Sequence, residues 1–504
     1  MYVLIDALHI MKLDDGTFEI GVHIADVSYF LRPNTALDTE ASRRATSVYL
    51  VQKVIPMLPS ILCEDLCSLN PDVDRLAFSC IWRMNEDGTL CAHPPPWFGR
   101  TIIRSCAKLD YPTAQRMIDG IIPNILSAND DFLNHLPEEV WEQRRRPVGQ
   151  SAAGCVSDVV MMAAIAKRRR ALRLANGALV LNRSKLSFRL DRDGNPVEVS
   201  SYQSRQSNSL VEEYMLLANY LVAQKLLNSL GEGAFLRSHP PPEISNMGRI
   251  VAFGELVGTT IDTTSALSLQ RGLSALSQRG DVVLLKVMTA LLTQPMKAAQ
   301  YFAVTEGSDP QSWEHYALAI SCYTHFTSPI RRYADVMVHR LLDRVLQGEG
   351  EGSIRRIDTE ELQRLKRTAE QCNTMKEASK MAQDRSDRVF LAVYLSSRTE
   401  PTIEDAIVID IGAKSFTVLL LNYGFDVRLF VNNMPNVEAT YEEKKNTLLL
   451  MNGAKTAPGK VAVEGTLQFG YIEIVMLKRL KIMLTAKKTA PIDVEAHLVG
   501  ELSV

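Results

Sequence analysis

The sequence predicts an α/β body (α+β in the order of its elements) followed by a small all-β barrel. Three observations carry this. The chain has 504 residues, more than one ordinary hydrophobic core supports. Up to about residue 400 it mixes long helical periods with short strand-and-turn patterns. Beyond that point it becomes rich in Val, Ile, Phe and Leu, punctuated by Gly and Asn. A hydrophobic content of 46% with 23% charged residues describes a soluble globular chain. A net charge of −2 excludes a protein that coats nucleic acid by bulk charge, but not an enclosed basic channel. The eight Cys form no CxxC pair, so reduced thiols are expected. No apolar run has the length of a transmembrane helix, and no basic segment opens a signal peptide. A cytosolic protein without a membrane partner is the expectation.

The elements follow in order. Asp14-Asp15-Gly16-Thr17 is a turn signal, and Phe18–Val27 alternates like a strand. The Asp14/Asp15 pair is therefore read as turn chemistry rather than catalysis. Ala41–Gln52 has helical character, ended by Pro56 and Pro59. Residues 111–180 read as mostly helical. They carry basic clusters at Arg144–Arg146 and Lys167–Arg170, taken as solvated faces with polyanion contact as the alternative. Val180–Leu190 is strand-like; Leu210–Leu230 is a strong helix with Val211, Met215, Ala218, Leu221 and Val222 near one stripe. Residues 281–303 read as helical again.

The run His325-Phe-Thr-Ser-Pro-Ile-Arg-Arg-Tyr333 reads as the mouth of a helix aimed at a phosphate. Ser328 suits an N-cap and Pro329 the first helical position. Ile330, Tyr333, Met337 and Leu341 recur at helical spacing. Arg331 and Arg332 oppose the helix dipole there, a cost that an anion would offset, and His325, Thr327 and Ser328 add donors. The alternative is an arginine pair bridged to Asp335. The helix is expected to finish at Gln347, with Gly348–Gly352 as a flexible linker. Asp358–Leu395 reads as one charged helix. Ala406–Ile411, Ser415–Leu421 and Asp426–Val431 are successive strands of a small barrel, for which an OB-fold is the leading candidate. Phe416, Tyr423, Phe425 and Phe430 offer stacking surfaces for bases, with at least half of them expected in the core.

Several segments together resemble one family. They are Gly21-Val-His-Ile-Ala-Asp-Val-Ser28, Ala45–Leu50, Ile55-Pro-Met-Leu-Pro59, Leu66–Asn70, Val211–Asn219 and His325–Tyr333. In this order they resemble the RNB catalytic domain of the RNase II family of 3′-to-5′ exoribonucleases. Leu236–Pro242 and Cys372–Ser379 are similar to the cytoplasmic branch without a PIN domain, the Dis-three-like exonuclease two proteins. The resemblance implies an RNB domain over 1–350, a helical connector at 351–399, an OB-fold RNA-binding domain at 400–488 and a tail at 489–504. It also implies that Met1 starts inside the catalytic domain, without the two cold-shock domains that precede it in the family.

The implied reaction is hydrolysis of single-stranded or U-tailed RNA to nucleoside monophosphates, by a likeness to cytoplasmic and P-body decay enzymes acting as monomers. Magnesium is the implied cofactor, held by four aspartates in the pattern D-x-x-x-x-x-D-x-D-D-A. A gapless frame from Asp26 back through His23 places Asp6 on the last aspartate and Ala7 on the alanine. Ile5 and Val3 fall on two other aspartates, and the first lies ahead of Met1. One carboxylate does not hold two magnesium ions, so turnover by this chain is expected to be impaired. The same frame implies that Tyr49 stacks on the 3′-terminal base and that Arg331 stabilises charge at the scissile phosphate. Thr327, Ser328 and Arg332 are implied contacts of the RNA backbone, and Glu212 and Glu213 implied acceptors for a ribose 2′-hydroxyl. For Glu212 and Glu213 a plain acid pair is the alternative. Asn219 is expected to satisfy a buried backbone group. Two functional readings stay open, an exoribonuclease and a nuclease-dead RNA-binding protein; a protein scaffold is a third that no sequence feature supports.

Overall fold

The computed structural model of the chain describes residues 5–121, 151–181, 185–202, 204–243, 247–350, 352, 356–452, 470–487 and 489–501. Val3 and the cluster Arg144–Arg146 lie outside the described residues.

Strands β1 (Asp6–Lys12) and β2 (Phe18–Ala25) form an antiparallel hairpin. Asp15 accepts the Thr17 backbone N–H at 2.9 Å, the turn role expected of it. After a short helix, α1 (Val27–Phe30), comes α2 (Ala36–Arg44), capped by Thr35. The helix expected over 41–52 stops here instead. Ala45 takes a left-handed φ of 54°, and the chain runs extended into β3 (Val48–Tyr49), paired with β4 (Val54–Ile55). The helix stops because the backbone of 45–47 finds its partners on a distant loop, described below. Strands β5 (Asp74–Met84) and β6 (Trp97–Arg104) complete a four-stranded sheet in the order β1-β2-β5-β6. Ile20, Val22, Ile24 and Phe78 are fully enclosed in it.

Helices α3 (Tyr111–Ile118) and α4 (Ala152–Ala175) come next, then the hairpin β7 (Leu186–Leu190) and β8 (Pro196–Ser201). The long helix α5 (Gln206–Leu230) buries Leu210, Tyr214, Leu217, Ala218, Leu221 and Val222, whereas Val211 and Met215 of the expected stripe are only partly buried, so the core-facing side is turned toward Leu210 and Tyr214. Strand β9 (Phe235–Ser238) follows, then α6 (Gly248–Leu256), α7 (Ala266–Gln278), α8 (Val282–Thr293) and β10 (Gln300–Ala303), which pairs with β9. The helix expected across 281–303 therefore ends at Thr293, two residues before Pro295. Helix α9 (Tyr333–Gly350) runs past its expected end at Gln347, and a Lys225–Glu349 ion pair at 2.6 Å ties its last turn to α5. Residues 348–350 are thus helix rather than linker.

Helix α10 (Thr359–Ser396) is capped by Asp358 and spans two bodies. Its first half adds Leu362, Leu365, Ala369 and Cys372 to the core of the mixed body. Its second half puts Leu391, Ala392 and Leu395 into the core of the barrel.

The barrel consists of β11 (Thr402–Gly412), β12 (Ser415–Leu420), β13 (Asp426–Phe430), β14 (Val437–Glu442), β15 (Thr447–Asn452), β16 (Tyr471–Ile474), β17 (Arg479–Ala486) and β18 (Val494–Glu501). Five strands curl in the order β13-β12-β11-β17-β18, with β14-β15-β16 as a second sheet, an OB-like arrangement. The expected tail at 489–504 is corrected. Its residues 494–501 are a strand that pairs with β17 and places Val494 and Leu498 in the barrel core. Alternating burial was present in that stretch, but its partner strand lies across a turn and sets its status. Leu498→Ala should therefore cost about 2–5 kcal/mol in urea unfolding, as for a core leucine; a change within about 0.5 kcal/mol would return the segment to a loose tail.

Candidate functional site

The loop from Thr324 to Arg332 is the centre of the mixed body. It is not helical: the chain turns at 329–331 and α9 begins only at Tyr333, so Ser328 is not the N-cap its sequence suggested. The loop's polar groups are satisfied from outside. Asn219 on α5 accepts the Phe326 N–H at 2.7 Å, the role expected of it, and its amide donates to the Tyr323 hydroxyl at 3.0 Å. His339 on α9 bonds the Phe326 carbonyl at 2.8 Å, and the Thr324 hydroxyl donates to the Phe235 carbonyl at 2.7 Å.

The turn itself is organised by Asp335, which is wholly buried. Its carboxylate accepts the Ser328 N–H at 2.7 Å and both Nε and Nη2 of Arg332, at 2.7 and 2.6 Å. Burial is the largest influence on Arg332 and would lower its pKa, but the Asp335 charge and hydrogen bonds together with Tyr301 and Tyr323 outweigh it and raise it. Of the two arginines, Arg332 is thus the bridged one. Arg331 keeps a single 3.1 Å bond to the Ser328 hydroxyl and has no carboxylate partner among the described residues. Burial and then the like charge of Arg332 depress its pKa. An arginine left in this state is a strong receptor for an anion.

The backbone of Arg331–Tyr333 is strapped to the segment after α2. The Ser47 N–H donates to the Arg331 carbonyl at 3.0 Å, the Tyr333 N–H to the Ala45 carbonyl at 2.8 Å, and the Thr46 hydroxyl to the Arg331 carbonyl at 3.1 Å. This sets Tyr49 within the field of Arg331, with the residue 41% exposed and so open to a flat partner. Asp6, at the start of β1, lies within the field of Arg331. Burial raises its carboxyl pKa and Arg331 partly opposes this. Tyr49, Arg331 and Asp6 therefore share one site. Tyr111 belongs to it as well: it is 43% exposed, and both Asp6 and Arg331 act on it. Sequence reading missed Tyr111, and the only signal was an exposed aromatic at a helix start. Thr327 and Ser328 are both buried, and Thr327 meets the Asn219 amide at 3.5 Å.

Glu212 and Glu213 separate. Glu213 is buried and forms a two-pronged pair with Arg173, at 2.7 and 3.1 Å. Its oxygens are committed to α4 and not free for a ribose. Glu212 is half-exposed beside Arg170 at 3.4 Å. The basic run Lys167–Arg170 is partly spent in the same way, with Arg168 on Glu86 at 2.8 Å. In the barrel, Phe416 and Tyr423 are core, while Phe430 is exposed with the Arg428 guanidinium 5.6 Å from its ring centre. Both line a cavity of about 1250 Å³ that lies on the barrel, away from Arg331.

A magnesium centre needs several hard oxygen ligands. Among the described residues no group of three His, Cys, Asp or Glu side chains is placed to hold a metal. Asp6 stands next to Ile5, and the nearest strongly charged neighbour acting on it is the cation Arg331. Asp26, just beyond the end of β2, is closed off by Arg100 and Ser28. The described residues do not fit a two-magnesium site.

The fold is an α/β body with an attached OB-like barrel, and it presents a desolvated arginine beside exposed tyrosines. The RNB domain family matches residues 4–348, and the chain belongs to that family. It is 40% identical over 443 residues to "DIS3-like exonuclease 2" of Xenopus tropicalis, covering 87% of this chain and 50% of that protein. It is 34% identical over 484 residues to "Inactive exonuclease DIS3L2" of Arabidopsis thaliana, covering 88% and 44%. The chain thus spans about half the length of these relatives. The solved structure of yeast Ssd1, described as a pseudonuclease, superposes with a TM-score of 0.76 at 20% identity, over 99% of this chain and 66% of that one.

Two outcomes follow from the site's electrostatics. Asp335→Ala leaves Arg332 buried without its counter-charge and should cost about 3–5 kcal/mol in denaturant unfolding. Asp6→Asn should stabilise the chain at neutral pH. A carboxyl whose folded pKa is raised binds protons more tightly when folded, so its ionised form destabilises. The gain should vanish as pH falls below the ordinary aspartate value, in thermal melts across pH 3–8.

Proposed function

We propose that this chain holds the 3′ end of single-stranded RNA, U-tailed RNA included, in the manner of an RNB-type exoribonuclease, and that its hydrolysis is strongly reduced or absent. In this reading Arg331 takes the phosphate nearest the end, Tyr49 stacks on the terminal base, and the barrel carries the strand toward them. Phosphate contact supplies affinity and the stacked base supplies end recognition. Glu212, being half-exposed, remains the acid able to meet a ribose 2′-hydroxyl, whereas Glu213 acts as an anchor for Arg173. The chain acts as a monomer, and a cytosolic or P-body setting would suit the substrate.

One observation carries the loss of hydrolysis: Arg331 and Asp6 share the site, yet no cluster of metal-ligating side chains accompanies them among the described residues. The similarity to a relative named as inactive agrees with this. The second reading, an active magnesium-dependent exoribonuclease, is favoured by the similarity to relatives named as exonucleases.

Incubation with labelled oligo(U) and magnesium separates the two. The expected result is tight binding with little or no release of mononucleotide; processive release would establish the second reading. Arg331→Ala and Tyr49→Ala should each weaken oligo(U) binding by about 5–20-fold, in line with a charge-assisted contact and a stacked base.

A further inference from the structure

Helix α10 crosses the site with three residues of one face, spaced by three, turned toward it: Asn373, Lys376 and Ser379. The outer two are fixed. The Asn373 side chain accepts the Tyr301 N–H at 2.7 Å and donates to the Tyr301 carbonyl at 2.9 Å, completing the edge of β10. The Ser379 hydroxyl donates to the Ser47 carbonyl at 3.3 Å, two residues before Tyr49. Lys376 lies between these anchors, so its side chain enters the space bounded by Tyr301 on one side and the Tyr49 segment on the other.

That space is rich in cations. Arg237 on β9 is buried, lies 4.6 Å from the Tyr301 ring centre, and leaves its Nη1 without a hydrogen-bond partner. Among the described residues neither Arg237, Arg331 nor Lys376 has a carboxylate at ion-pair distance. The one acid among them, Asp335, is already spent on Arg332. His325 adds no charge: burial and the surrounding arginines hold it neutral, with the Tyr301 hydroxyl 2.6 Å from its Nδ1. Lys376 is exposed to solvent, so its ammonium is accessible from outside.

We propose that Lys376 is a phosphate-binding residue of this site, its ammonium taking a non-bridging oxygen of an RNA phosphodiester alongside Arg331, with Arg237 supplying charge from behind. The proposal rests on the RNA-end reading above. It explains why three uncompensated cations are held together: the anion that balances them arrives with the ligand. Burial, then Arg237, Arg332 and Arg331, push the Lys376 pKa down to about 7, against a smaller opposing pull from Asp335. His315 and His325, the other titratable groups facing it, are both held neutral by burial. A bound phosphate would draw a proton onto Lys376, so binding takes up a proton and weakens as pH rises through about 7 and above.

The test uses the full chain, a 5′-labelled single-stranded oligo(U) and fluorescence anisotropy over a salt series at pH 6.0 and 8.5. Lys376→Gln should weaken binding about 3–10-fold at pH 6.0 and flatten the salt slope by about 0.7, the value for one lost contact on a single strand. Lys376→Arg should keep wild-type affinity at pH 6.0 and lose most of the pH dependence. Without RNA, Lys376→Gln should melt at the same temperature or higher, because it removes a cation from a repulsive cluster, whereas loss of a merely structural lysine lowers it. A wild-type chain that binds oligo(U) while Lys376→Gln matches it in affinity and salt slope overturns the assignment of Lys376 alone. A wild-type chain that does not bind oligo(U) overturns the RNA-end reading and this assignment with it.

Discussion

A buried carboxylate, Asp335, holds the centre of this molecule together. It closes a turn by accepting the Ser328 N–H and neutralises Arg332 with two bonds, while exposed to no solvent at all. The geometry lets one acid serve one arginine fully and the other hardly at all. Arg331, one residue earlier, is consequently left with a hydroxyl for company and a depressed pKa. In a poorly hydrated setting an unbalanced guanidinium is costly, and the cost is recovered when an anion binds. The binding chemistry of the site follows from that asymmetry.

The surroundings preserve it. Asn219, His339 and Thr324 satisfy the backbone of the loop without adding charge. Other buried acids of the body carry their own arginine partners, Glu213 with Arg173 and Asp26 with Arg100. Helix α10 gives the arrangement its rigidity, since its halves belong to two hydrophobic cores and its middle is pinned at Tyr301 and Ser47. A strand held by the barrel and by the arginine loop would thus meet two surfaces on one stiff rod.

The same reasoning separates binding from hydrolysis. Fixed cations and stacking rings suffice to hold a polynucleotide end, but breaking its phosphodiester bond with magnesium requires several carboxylates converging on one point. Asp6 reaches that place alone among the described residues. The fold by itself does not distinguish an active nuclease from an inactive one, since a structure described as a pseudonuclease superposes on nearly the whole chain.

Much of this was legible in the sequence where the cause is local. The hairpin at Asp14–Thr17, the apolar stripe of α5, the capped helix after Asp358 and the strands from Thr402 onward rest on patterns a few residues long. The order of the motifs located Arg331, Tyr49 and Asp6 and the family. Other features depended on partners far away along the chain. Ser328 looks like a helix cap, but Asp335 takes its N–H and the turn wins. The helix after Ala41 stops because Thr46 and Ser47 bond to Arg331, some 285 residues distant. Glu213 resembled a ligand acid until Arg173 was brought beside it. Sequence alone determined which residues could supply charge, stacking and periodic apolar faces. Only the tertiary structure decided which charges cancel, because a counter-ion is set by distance in space and not by spacing along the chain.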